Sequence, residues 1–284
     1  MADILSVVLR AAAFVLLLQA SGIALFVAIF GERIPESGAT VRRIGRISAL
    51  LAAAAVLAHY LLEAGRMAGD LAGIASGELQ GIALRSSVAA EAALRMLGLA
   101  LIAAGLRGAS ALAVASSVVG ATLAVVAFTL TGHTVVSPQR WFLIVALALH
   151  VLVVAFWLGA LLPLYVATRR EQGPAAAKVV AGFSLAATWI VPGIFLAGVV
   201  LVAGLVPSLA TFTRPYGQLL LVKIAGFALL MALAAMNKWR LAPALARGVP
   251  HAGAALRRSI AAEYVLIVCV LGVTAAMTSF FSPD

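Results

Sequence analysis

The chain alternates between long apolar runs and short polar segments. Runs at 4–30, 47–65, 88–106, 111–131, 141–166, 181–206, 217–240 and 258–281 are nearly free of charge. Each has about the length of 20 residues that carries a helix across a bilayer. None shows the period-two alternation of barrel strands. The pattern predicts an all-α polytopic membrane protein, with eight transmembrane helices in a single bundle and 1–284 as one transmembrane domain. The first run lacks a preceding basic segment and exceeds the apolar core of a signal peptide, so it reads as a retained span. Between the second and third runs, Leu71, Ile74, Leu79 and Ile82 fall near one helical face, with Asp70, Glu78 and Gln80 elsewhere. That segment has two readings: a short helix lying on the membrane interface, or a partly ordered loop.

Composition narrows the class. Hydrophobic residues make up 64% of the 284 and charged residues 11%, against about 25% charged in soluble domains. A sizeable extramembrane domain is therefore excluded. Lys and Arg number 20 against 10 acidic residues. In a soluble protein that excess would point to nucleic acid. Here the basic residues sit in loops, without a basic helix or aromatic interleaving, so nucleic acid is set aside and the surrounding partner is membrane lipid. The first, third, fifth and seventh loops with their flanks hold Arg33, Arg42, Arg43, Arg46, Arg107, Arg169, Arg170, Lys178, Lys238, Arg240, Arg247, Arg257 and Arg258. The other side holds Arg10, Arg66, Arg85, Arg140 and Arg214. The positive-inside rule then predicts that both termini are periplasmic.

Several chemistries are missing from the chain. Its one cysteine, Cys269, lies in an apolar run and has no partner for a disulfide. No HExxH, GxSxG or paired-acid signature occurs, so an enzyme is not expected. No GxxxxGK[ST] loop is present to supply a nucleotide drive.

Ionisable side chains inside a bilayer cost on the order of 2.5–3.5 kcal/mol each at the helix centre and usually face a bundle interior. Here they are His59, Glu63, Glu91, Arg95, His150, Lys223 and Glu263, with the polar Asn237, and His133 stands at a span end. His59, Glu63 and Met67 follow one another at single-turn spacing on the second helix. His133 falls at the outer mouth of the fourth. His150 lies nine residues into the fifth, roughly 13 Å down at 1.5 Å per residue. Imidazole, carboxylate and thioether suit copper, and imidazole alone suits zinc or iron. The candidate metal residues are therefore His59, Glu63, Met67, His133 and His150. The competing reading makes each histidine a helix–helix hydrogen-bonding group, pairs Glu63 with Arg66 and pairs Glu91 with Arg95. Glu91, Lys223, Asn237 and Glu263 are candidates for a transport path. Asn237 and Glu263 equally fit a hydrogen bond that fixes two helices, and Lys223 equally fits snorkelling or a place beside Glu91.

Ordered motifs then converge on one family. Thr131-Gly132-His133 is followed by His150 and by Trp157-Leu158-Gly159-Ala160-Leu161-Leu162-Pro163-Leu164. Phe183-Ser184, Tyr216-Gly217 with Lys223, Asn237-Lys238, and Arg258-Ser259 with Glu263 come next. Over about 125–281 the chain resembles the copper resistance protein D family of bacterial inner-membrane proteins. The resemblance implies a multi-pass protein of the inner (plasma) membrane that handles copper, as Cu(I) or Cu(II), and takes it from periplasm to cytoplasm. It also implies a periplasmic copper-binding protein of the copper resistance C type as partner. Some relatives carry that domain on the same chain, whereas here it is expected as a separate protein. His133 and His150 occupy family-like positions, as do Lys223, Asn237 and Glu263. Two other functions remain open: a membrane redox protein holding haem b between histidines, and a non-transporting copper delivery or assembly partner.

Overall fold

The computed structural model describes residues 2–132, 139–206 and 208–282. Its α-helices are α1 (Ala2–Phe30), α2 (Gly38–Ala68), the short α3 (Gly77–Leu84), α4 (Ser87–Gly105) and α5 (Ala111–Val126), followed by α6 (Arg140–Arg170), α7 (Gly173–Leu205), α8 (Pro215–Met236), the short α9 (Ala242–Ala246) and α10 (Ala252–Phe280). A π-helical turn, Asn237–Leu241, joins α8 to α9, so Pro215–Ala246 runs as one element. Among the described residues there is no strand, and eight helical elements are long and apolar enough to cross a membrane.

These eight elements correspond to the eight apolar runs, but several start earlier. α2 begins at Gly38, α7 at Gly173 and α10 at Ala252. The added turns carry Arg42, Arg43 and Arg46, then Lys178, then Arg257. Hydropathy marks where the hydrocarbon ends, whereas the backbone continues its own hydrogen bonding beyond it. The segment after α2 is helical as well. Gly69 ends α2 at φ 80, and the Asp70 carboxylate then accepts from the Gly73 amide to open a 3-10 turn, Leu71–Ala75. Ser76 caps α3 by accepting from the Leu79 amide.

The first helix is the hub. Its most apolar window is 72% buried, and it packs against α2, α5, α6 and α10. Apolar burial discriminates little between helices in lipid, so close contact depends on small residues. Gly22 of α1 and Gly159 of α6 supply it: a Cβ on Gly22 would lie 1.8 Å from the Ala155 carbonyl oxygen, and one on Gly159 would lie 2.3 Å from the Gly22 carbonyl carbon. Gly98 and Gly120 bring α4 and α5 together in the same manner. By contrast, the most apolar windows of α7 and of the α8–α9 element are each only 6% buried. At one end Val202 and Val206 meet Tyr216, Leu220 and Met277, while at the other α9 lies on α7 and Lys238 Nζ donates to Thr188 Oγ1 at 2.9 Å.

Polar ties hold both faces of the bundle. The Arg10 guanidinium in α1 donates to the Thr278 carbonyl at 3.3 Å and to Ser279 Oγ at 3.2 Å, near the end of α10. The start of α1 and the end of α10 therefore share one face, called here the terminal face. The opposite, basic face carries the α1–α2, α4–α5, α6–α7 and α9–α10 connections. There the Glu171 carboxylate accepts from the Ser37 amide at 2.9 Å and from its hydroxyl. In the interior, Gln19 Nε2 donates to Ser48 Oγ at 2.5 Å, and Gln19 Oε1 accepts from the Tyr264 hydroxyl, which joins α1, α2 and α10.

Candidate functional site

Three polar places stand out within the bundle. The first is a cavity in the terminal half, walled by α1, α2 and α4 and lined by Arg10, His59, Tyr60, Glu91 and Arg95 among apolar neighbours. His59 Nε2 lies 3.3 Å from Ser6 Oγ. Glu91 is ion-paired with Arg95 one turn further along α4 and accepts from the Thr131 hydroxyl at 2.9 Å. The Arg95 guanidinium also sits 4.3 Å from the Phe128 ring centre and 5.9 Å from that of Phe14. Aromatic faces and one carboxylate together allow a buried guanidinium to stay charged.

Arg10 belongs to this wall and lies 5.6 Å from the Phe14 ring centre. In the sequence Arg10 reads as a topology charge near the N-terminus. Its signal was nonetheless present, because Arg10 falls inside the first apolar run, where a guanidinium needs partners.

The other candidates on α2 are placed differently. Glu63 accepts from Arg66 Nη1 at 2.8 Å, and Arg66 also lies 3.8 Å from Asp3. Met67 is 44% exposed and does not line the cavity beside His59. His133 lies outside the described residues.

The second place surrounds His150 on α6. Its Nδ1 is buried and has no hydrogen-bond partner among the described residues. Gly198 of α7 faces the ring: a Cβ there would lie 3.8 Å from Cε1. The Ile194 backbone and the Lys223 ammonium of α8 also interact with the imidazole. Counted from the helix ends at the terminal face, His150, Gly198 and Lys223 all lie at about 10–15 Å depth at 1.5 Å per residue. Lys223 has no carboxylate at ion-pair distance among the described residues, since Glu91 is taken by Arg95. His59 and His150 thus stand in separate surroundings. Among the described residues no three His, Cys, Asp or Glu side chains gather into a metal-holding group.

The third place lies between α6, α8 and α10, nearer the basic face. Glu263 is 3% exposed. Its Oε2 accepts from Trp157 Nε1 at 3.3 Å, and its Oε1 accepts from Asn237 Nδ2 at the start of the π-helical turn. Asn237 Oδ1 and Ser259 Oγ are buried without a partner among the described residues. Trp157 and Glu263 are 106 residues apart, and only the fold reveals their contact.

Comparison with known proteins adds family membership. Neither the curated proteins nor the solved structures contain a match to this chain. Two protein families do match: residues 1–138 match the one described as Copper resistance protein D-like, N-terminal domain, and residues 177–277 match Copper resistance protein D. The two matches cover α1 to α5 and most of α7 to α10, with α6 lying between them, and the chain belongs to the copper resistance protein D family.

Proposed function

We propose that this protein moves copper through the bacterial inner membrane, from periplasm to cytoplasm, by way of imidazoles spaced through the bundle. The observation that carries the reading is His150: a member of the copper resistance protein D family keeps an imidazole nitrogen buried among its spanning helices with no partner among the described residues. A buried polar atom left unsatisfied costs about 1–3 kcal/mol, so its retention points to a ligand that satisfies it. Imidazole nitrogen is a good copper ligand.

In this reading the terminal face is periplasmic, supported by the basic residues gathered at the opposite ends of the helices. Copper is captured by His133 and His59, the latter in the cavity with Arg10, Glu91 and Arg95, and continues to His150. The stations are separate single imidazoles, which suits a cation that must be released as readily as it is held. Entry of a cation into a negative interior is favoured by about 2.3 kcal/mol per charge at 100 mV. A periplasmic copper-binding protein of the copper resistance C type is the proposed donor.

The test is copper uptake into proteoliposomes containing purified protein. Uptake by the wild type, with loss in His150→Ala, is the expected result. Unchanged uptake in His150→Ala removes the residue from the route. The visible spectrum of the same preparation, with and without added copper, separates a copper protein from one that retains haem.

A further inference from the structure

The basic-face half holds Glu263, a carboxyl group that the sequence makes a candidate for the transport path. Glu263 is buried in an apolar bundle, yet both hydrogen bonds to it come from neutral donors, Trp157 and Asn237. Buried carboxylates are ordinarily paired with a cation. Several charged groups on the surrounding elements have other neighbours, and Lys223 of α8 interacts with His150. Lys238 donates to Thr188, Arg257 to the Thr168 carbonyl and Arg258 to its own helix, while Tyr264 bonds Gln19. Among the described residues no Lys, Arg or His lies at ion-pair distance from Glu263. Such a carboxyl has one inexpensive route to neutrality, which is to bind a proton.

The surroundings are built to accept both forms. A carboxylate takes the Asn237 amide N–H, as seen. Asn237 Oδ1 is left buried and without a donor among the described residues. A protonated Glu263 supplies that donor: rotation of the amide turns Oδ1 toward the acid O–H, while Trp157 Nε1 goes on donating to the other oxygen. Amide orientation is settled by hydrogen bonding and follows the protonation state of its neighbour. Asn237 also opens a π-helical turn, Asn237–Leu241, a local widening that recurs at functional sites in helices. One turn toward the basic face, on the same side of α10, Ser259 carries a buried Oγ without a partner among the described residues.

We propose that Glu263, held between Trp157 and Asn237, is a proton-binding site whose loading and release accompany each copper movement. The step is a simple proton transfer: a hydronium ion on the basic side yields water and the neutral acid, and release reverses it. No oxidant or reductant is involved. This inference rests on the copper-transport reading for its coupling, but proton binding itself stands apart and can be measured without copper.

The experiment uses full-length protein in liposomes and Glu263→Gln, which keeps the side-chain shape and mimics the neutral acid. First, infrared difference spectra are recorded between mildly acidic and mildly alkaline buffer without metal. The expected result is a carboxylic-acid carbonyl band that is absent in Glu263→Gln and shifted in frequency in Trp157→Phe. A wild-type spectrum identical to that of Glu263→Gln overturns the proposal. Second, a pH dye trapped in the liposomes follows protons during copper addition. Proton movement in the wild type, lost in Glu263→Gln while His150-dependent copper binding persists, supports the coupling. Copper flux with no proton signal overturns it. If the infrared band is present but copper flux is absent in the wild type, the transport reading fails and the proton site stands.

Discussion

Gly22 and Gly159 meet backbone to backbone where α1 crosses α6, with no room for a single methyl group on either side. That contact fixes the spacing of the central pair of helices; Gln19 lies about one turn from it along α1, and Trp157, the donor to Glu263, lies two residues from it on α6. Gly159→Val is expected to destabilise the protein by more than the ~1–3 kcal/mol typical of overpacking, because the obstacle is backbone and cannot rotate away. Gly272→Ala on α10, where nothing lies within 4 Å of the added atom, serves as the control. Thermal aggregation in detergent, followed by size-exclusion chromatography, measures both. Equal melting of the two variants would show that the crossing tolerates a wider separation.

The Glu91–Arg95 pair makes a different demand. Their side chains are only 12% and 10% exposed, so removing one leaves the other as a buried, uncompensated charge. Glu91→Gln is expected to cost about 3 kcal/mol, and the double variant Glu91→Gln/Arg95→Met to recover a substantial part of it. A double-mutant cycle on thermal stability is the measurement. If the double variant is no better than the single, the carboxylate matters for something other than Arg95.

Tyr264→Phe isolates a single hydrogen bond. The hydroxyl donates to Gln19 Oε1, whose amide nitrogen in turn holds Ser48. Removing it leaves an amide oxygen without its donor inside the bundle, with an expected loss of about 1–3 kcal/mol and no change in copper affinity. Denaturant titration in mild detergent, alongside copper binding, separates the two quantities.

Met67→Leu is expected to leave copper uptake unchanged. The thioether is largely exposed and lies outside the cavity that His59 lines. Reduced uptake in this variant, with normal yield and melting, would show that Met67 acts from outside the cavity.

The transmembrane plan was legible because hydrocarbon imposes it: the eight apolar runs correspond to eight long helical elements among the described residues, and the polar turns beyond them were invisible to a hydropathy reading. The single-turn spacings were legible too, as the pairing of Glu63 with Arg66 and of Glu91 with Arg95 shows. Met67 follows His59 in turn spacing, but the face that it shares with the cavity ends before it, and spacing alone does not say which neighbours stand opposite. Trp157 stood in a recognisable motif, yet nothing local ties it to Glu263. Arg10 was hidden by position, since a basic residue near an N-terminus resembles a topology determinant until α10 and α4 are seen beside it.

The clasp between Arg10 and the Thr278–Ser279 end of α10 has a consequence for biogenesis. α1 is synthesised well before α10, and helices insert before they assemble. The Arg10 guanidinium must therefore wait in the membrane with provisional company until α10 arrives. Synthesis halted before Thr278 would leave that guanidinium without these two acceptors.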